Sequence, residues 1–233
     1  MNFENKLISG LFIKRYKRFF ADINVNNKIV TAHCANSGSM MGLLNKNNKV
    51  WLMESNNKKR KLKYTLQIIE DNEFKVGVNT HLANKIVNHA LENNFIEGFS
   101  SNVQIKREQV FGENTRFDFY LEDKKIKSFL EVKNVTLKRK SKIAEFPDSV
   151  TSRGTKHLNE LINATKKGFN AYLLFLVQRE DCNKFEIAKD IDPVYSKTLI
   201  KAIKHNVKIL CYDCKFFSKG IILNKKIKFQ INE

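Results

Sequence analysis

Thr115-Arg116-Phe117-Asp118-Phe119-Tyr120-Leu121 and, after a short charged gap, Ser128-Phe129-Leu130-Glu131-Val132-Lys133-Asn134-Val135 are the two runs whose reading decides the fold. Both alternate apolar and polar residues, the period of a β-strand, in which side chains two apart share a face. That pattern predicts Phe117, Phe119 and Leu121 on one face and Arg116, Asp118 and Tyr120 on the other. In the second run Leu130 and Val132 oppose Glu131 and Lys133. The linker Glu122-Asp123-Lys124-Lys125 is polar and hairpin-like. Pairing the strands gathers Asp118, Glu131 and Lys133 on one face. Two carboxylates and an ammonium so placed can hold a divalent cation and orient a water near a phosphate. A surface hairpin with a cross-strand ion pair would use the same residues, so the flanking chain has to decide.

Composition narrows the partners. The 233 residues carry 42 Lys and Arg against 24 Asp and Glu, a formal charge of +18. That excess points to a polyanion, although a Lys- and Asn-rich proteome would raise the charge without any function. No apolar run approaches the roughly 18 residues a membrane span needs, and no apolar signal core follows Met1–Lys6. A cytoplasmic protein with no membrane partner is the expectation. Cys34, Cys182, Cys211 and Cys214 are too scattered for a disulfide framework. Cys211-Tyr-Asp-Cys214 has zinc-ligand spacing but no second pair, which favours buried thiols.

Residues 1–76 read as β throughout. Strands are expected at Leu7–Ile13, Phe19–Val25, Ile29–Cys34, Val50–Glu54 and Tyr64–Glu70, with a turn at Asn26-Asn27. Five short strands without a long helix predict a small closed barrel of the OB type, a common oligonucleotide platform. This segment holds 14 Lys and Arg against 6 Asp and Glu. Its cations cluster in two places. Arg15-Tyr16-Lys17-Arg18-Phe19-Phe20 interleaves charge with aromatics, which suits phosphate contact and base stacking. Lys58, Lys59, Arg60 and Lys61 form a dense run before the fifth strand. Solvated edges that block strand aggregation would look similar. His33–Met40 between strands is a tight turn or a small loop offering N–H groups to phosphate.

From residue 77 the texture changes. His81–Asn93 has the spacing of an amphipathic helix, and Val103–Phe111, which contains Glu108, reads as a strand. The opening strands follow. Thr151–Lys167 is a second helix ended by Gly168, Ala171–Val177 is a doubly covered strand, and Asp192-Pro193 opens a third helix. Val207–Tyr212 is a last core strand, with Ile221–Leu223 and Ile227–Ile231 as a closing hairpin. This order predicts an α/β domain over residues 77–233 with a mixed central sheet. Helix, three-strand meander, helix, parallel strand is also the core layout of the PD-(D/E)XK nuclease-like fold. In that layout the acid sits on the second strand and E-x-K on the third, where Asp118 and Glu131-Val132-Lys133 fall.

Nearly the whole chain resembles the sugar fermentation stimulation protein family, SfsA. The matching stretches are Arg15–Phe19 with Ala21-Asp22, His33–Met40, Lys59–Leu62, Gly77–Thr80, Arg116–Phe119, Glu131–Leu137, Phe146–Thr151, Arg153–Leu158 and Ile191–Pro193 with Tyr195. Ala35, Ser37 and Phe20 stand where the family usually has Pro, Thr and Leu. The resemblance implies an N-terminal OB-like domain, a C-terminal PD-(D/E)XK-like domain, DNA binding with little sequence specificity and a regulatory link to sugar metabolism, maltose in particular.

Three functions are open at this point. A non-specific DNA-binding protein would use Arg15, Lys17, Arg18, Lys58, Lys59, Arg60 and Lys61 against phosphates. A Mg2+- or Mn2+-dependent nuclease would ligate its cation with Asp118, Glu131, the Val132 carbonyl and Glu108, with Lys133 acting on the attacking water. Arg153, Lys156 and His157, near the start of the second helix, would grip the scissile phosphate; His157 would serve equally as a packing residue. An RNA-binding or RNA-processing factor is the third, because neither barrel nor charge separates RNA from DNA. No oligomeric state is legible.

Overall fold

Apolar alternation in the first third winds the chain into a ring of strands. A computed structural model describes residues 1–112 and 115–230. It begins with β1 (Leu7–Tyr16), β2 (Phe20–Val25), β3 (Lys28–His33), β4 (Lys49–Glu54), β5 (Tyr64–Asp71) and β6 (Phe74–Gly77). Their order is β3-β2-β1-β4-β5-β6, and a parallel pairing of Ala32 with Tyr64 and His33 with Thr65 closes the ring. Asn26 and Asn27 turn β2 into β3 at φ 49° and 62°; Asn tolerates that left-handed backbone. Phe12, Ile23, Val50, Leu52 and Leu66 fill the interior, each such side chain contributing about 1.5–3 kcal/mol on burial. The expected OB barrel is present, with β6 as a strand that sequence reading did not anticipate.

The second half forms a mixed sheet with helices on both faces. A single 3-10 turn, Thr80–Leu82, leads into α1 (Ala83–Glu92). Then come β7 (Gln104–Phe111), β8 (Thr115–Asp123), β9 (Ile126–Val135), β10 (Leu137–Lys140), β11 (Ile143–Phe146) and α2 (Ser152–Lys166). The chain continues through β12 (Asn170–Val177), β13 (Lys184–Ile187), α3 (Pro193–Lys204), β14 (Lys208–Phe217), β15 (Gly220–Lys226) and β16 (Lys228–Gln230). The main sheet runs β15-β14-β12-β9-β8-β7, with β12 parallel to both β9 and β14. β12 is apolar along Ala171–Val177 because both its faces are covered. Its even-numbered side chains join α1 in one core, and its odd-numbered ones join α2 and α3 in another. Thr151 caps α2, its hydroxyl accepting from Gly154 N at 3.0 Å, and Asp192 caps α3 in the same way through Tyr195 N.

Three expectations need correction. Phe117 does not share a face with Phe119 and Leu121. It packs with Phe129 in the α2 core, whereas Phe119 and Leu121 pack under α1. The cause is a divergence of strands. The β8–β9 register runs no further than Phe119 opposite Leu130, and the Val132 N–H donates to the Asp118 carboxylate at 2.8 Å. Secondly, β10, β11, β13 and β16 form a separate small sheet. Its strands are short and charged, and ion pairs such as Arg139–Glu145 (2.7 Å) and Lys140–Glu186 (3.0 Å) hold them, so no apolar period announces them. Thirdly, the closing hairpin does not form. β15 pairs with β14 and β16 runs parallel to β13; Ile231, the end of that expectation, lies outside the described residues.

The two halves are joined by polar contacts. Arg179, 1% exposed, donates to Asp71 Oδ2 on the barrel (2.6 Å), to Asp181 Oδ2 (2.8 Å) and to the Thr136 carbonyl (2.9 Å). Gly77 N donates to the Gln178 carbonyl, and a Cβ on Gly77 would stand 2.2 Å from Gln178 Oε1. Among the described residues no helix is long and apolar enough to cross a membrane.

Candidate metal centre and nucleic-acid interface

The divergence of β8 from β9 opens the main sheet at Asp118. One carboxylate oxygen accepts from Val132 N (2.8 Å), the other from the Asn84 amide of α1 (2.7 Å). Burial, and then the neighbouring Glu131 charge, push the Asp118 carboxyl up to about 6. Glu131 is buried on the α2 side of β9. Its Oε1 receives the Lys133 ammonium at 2.6 Å and the His157 Nδ1. Burial alone would raise Glu131, but Lys133 and His157 outweigh it and hold the carboxyl below its ordinary range. Glu131 Oε2 is buried and has no hydrogen-bond partner.

That orphan oxygen is a direct test of whether a cation suits the site. A buried carboxylate oxygen without a donor is costly, and Asp118, its like-charged neighbour, is raised by burial and then by the Glu131 charge. Both are relieved by one hard cation taking oxygen ligands. Asp118 and Glu131 therefore fit such an ion. Among the described residues no three His, Cys, Asp or Glu side chains are grouped to hold one. The rest of the coordination would fall to main-chain oxygen or water.

Glu108 lies on β7 across from Asp118, between the register pairs Arg107–Phe119 and Gln109–Phe117. Its backbone is left-handed within a strand, at φ 53°, a strained conformation often kept at functional positions. Glu108, Arg116, Asp118, Arg153, Lys156 and His157 line one cleft of about 540 Å3. With its proton on Nδ1 facing Glu131, His157 presents Nε2 to Arg153 Nε at 3.5 Å. His157, 7% exposed, thus holds Glu131 in place from behind. Arg153 and Lys156 reach the cleft from the first two turns of α2.

The basic clusters fall on two loops of the barrel. Lys17 and Arg18 form the β1–β2 turn with φ of 45° and 63°, and Phe19 beside them is 43% exposed and stacks on His33. Lys58–Lys61 occupy the β4–β5 loop. These are the loops through which OB barrels take oligonucleotides. Arg15 does a different job. Its guanidinium donates to the carbonyls of Arg18 (2.7 Å), Asn36 (2.6 Å), Gly38 (2.9 Å) and Ser39 (3.3 Å). It braces the turn and the 36–39 loop. That loop reaches the second half, where the Ser39 hydroxyl donates to the Asp148 carbonyl at 2.8 Å.

The cysteines are free and buried, and Cys211 and Cys214 lie in opposite cores, so they cannot share an ion. Sequence reading missed Asn84 and Tyr195. Tyr195 is fully buried in the α2 core, and its unpartnered hydroxyl is held protonated by burial and then by Glu131. Nothing in the sequence marks Asn84, an ordinary polar helix residue whose partner is 34 positions away.

Comparison with known proteins agrees with this architecture. Residues 13–78 match the family model described as the SfsA N-terminal OB domain. Residues 81–220 match the one described as the sugar fermentation stimulation protein RE domain. The chain is 55% identical over 228 residues to a sugar fermentation stimulation protein homolog of Pelagibacter ubique, covering 98% of each. It is 42% identical over 235 residues to a homolog of Maricaulis maris, covering 100% of each. The solved structure of Pyrococcus furiosus SfsA in complex with Ca2+ superposes with a TM-score of 0.91 at 25% identity, over 99% of this chain and 98% of that one. Two domain models in the right order and full-length identities of this size leave one assignment: the chain belongs to the sugar fermentation stimulation protein (SfsA) family.

Proposed function

We propose that the protein binds DNA with low sequence specificity through its barrel and holds a divalent cation between Asp118 and Glu131. The observation that carries the cation is the buried, unpartnered Glu131 Oε2 beside a raised Asp118. The Ca2+ bound by the Pyrococcus furiosus relative supports a divalent ion; Mg2+ or Mn2+ would take the same hard oxygens. DNA binding is supported by the placement of Lys17, Arg18 and Lys58–Lys61 on the two recognition loops, with Phe19 as a stacking platform. Any effect on sugar metabolism would run through that binding. RNA would meet the same loops, and competition between matched RNA and DNA strands decides between them.

The second reading is phosphodiester hydrolysis, favoured by the Lys133 ammonium on Glu131 at 2.6 Å. A bound cation would supply Lewis acidity and an acidified water. Lys133 would orient that water and neutralise developing charge, while His157, itself bonded by Arg153, would fix Glu131 and Arg153 would meet the phosphate. Titration of the whole protein with Ca2+ by calorimetry tests the centre: wild type binds one ion, Asp118→Asn and Glu131→Gln do not. Cleavage of plasmid DNA with Mn2+, abolished by EDTA and by Lys133→Ala, would establish hydrolysis; equal cleavage by wild type and Lys133→Ala would refute it.

A further inference from the structure

Away from the carboxylate centre, a pocket of about 310 Å3 lies where the barrel meets the start of α1. Basic side chains reach it from separate elements. His33 comes from the end of β3, Arg60 from the β4–β5 loop, His81 from the 3-10 turn and Lys85 from α1. Glu4, the one carboxylate among its described lining residues, is paired with Lys85 at 2.9 Å. The ion pairs formed among the described residues include none to His33, Arg60 or His81.

The pocket is built rather than incidental. Arg60 is aimed by a bond from its NH1 to the Thr65 hydroxyl at 2.9 Å. Thr65, Gln67 and Asn79 behind it are buried and tied in series: Asn79 Nδ2 donates to Gln67 Oε1 at 2.9 Å, and Gln67 Nε2 to the Thr65 carbonyl at 3.3 Å. Protonating His33 would set it among like charges, which repel. The repulsion registers on His33, whose imidazole is held below its ordinary value by burial and then by Arg60 and His81. An anion between the three would remove it. Arg60 presents a planar fork suited to two oxygens of one group, and two imidazoles add directed donors.

We infer that this pocket binds a phosphoryl group, either a free phosphate monoester or the terminal phosphate of a nucleic-acid strand. The inference stands on the pocket alone and needs neither the cation nor the DNA reading. His81 lies one helical turn before Asn84, whose amide holds Asp118, so an occupant would sit against the same stretch of chain that positions the carboxylate centre.

Titration of the whole protein with inorganic phosphate, read by calorimetry and melting temperature, tests it. Saturable binding is expected in wild type, weakened about tenfold or more in Arg60→Gln and in His33→Gln, which separately guard against loss of fold. Lys201→Gln, an exposed change on α3 with the same loss of charge, should bind as wild type. Oligonucleotides with a 5′-phosphate or a 5′-hydroxyl distinguish the sources. A preference for the phosphate that Arg60→Gln abolishes identifies a strand end; equal affinities alongside phosphate binding identify a free monoester. No saturable phosphate binding up to ~10 mM, or binding unchanged in both variants, overturns the inference.

Discussion

Asp118 is held in a state that costs the folded chain stability. An acid whose folded value lies above its unfolded one binds its proton more tightly when folded. Stability therefore falls as pH rises from about 4 to about 6, and the full cost is present at neutral pH. A shift from 3.8 to about 6 corresponds to about 2–3 kcal/mol. Asp118→Asn should remove that fall, so metal-free mutant and wild type, denatured with urea at pH 4 and pH 7.5, should diverge in the mutant's favour only at the higher pH. Ca2+ affinity should move oppositely in wild type, rising through pH 6 as the proton leaves. Asn84→Ala takes away a donor that stabilises the ionised form. Asp118 should then titrate higher, and the rise in Ca2+ affinity with pH should move up with it.

The two strands that open the sequence show how far alternation carries. It places Glu131 and Lys133 on one side of β9 correctly, because β12 pairs with β9 from Ser128 to Val135 and enforces its pleat where β8 has already left it. It fails for Phe117, because β8 leaves β9 at Asp118 and only a three-dimensional partner, the Val132 N–H, explains why. The barrel was legible for the same reason that the small sheet was not: apolar periodicity marks strands that bury a face, and β10 and β13 are held by charge. The loops' charges were legible too, except for Arg15, whose four carbonyl partners include three from a loop more than twenty residues away. Two predictions separate these roles. Lys17→Ala with Arg18→Ala should weaken DNA binding, measured by fluorescence anisotropy. The slope of log affinity against log salt should flatten by about 0.9 for each phosphate that the variant leaves unneutralised. Arg15→Ala should instead destabilise the barrel by about 1 kcal/mol, in chemical denaturation, since the partly buried carbonyls of Asn36 and Gly38 lose their donor.

At the scale of the molecule, barrel and α/β domain are fastened by a charged group that neither domain could bury alone. Arg179 has carboxylates from both sides, Asp71 and Asp181. Asp181 is accordingly held down to about 2, burial being outweighed by Arg179 and Lys138. Arg179→Met would leave the two half-buried carboxylates to Lys138, which pairs with both, so the loss should fall at about 3 kcal/mol, the low end for a broken buried pair. Wild type should unfold in one transition, and the variant in two as the barrel separates first, seen by calorimetry. A single transition at unchanged temperature would show that the fastening lies elsewhere.

Cys34, Cys182, Cys211 and Cys214 are all buried, and burial pushes each thiol up, Cys182 to about 12. Thiolate, the form that alkylates, is scarce in every one of them. The folded chain should therefore take up little maleimide dye, which a labelling time course checks. A cysteine introduced at exposed Lys59 and a second at exposed Lys201 would be the only places where a fluorophore attaches. Energy transfer between them would follow the barrel against the α/β domain while DNA, phosphate or a cation is added, with no background cysteine to delete first.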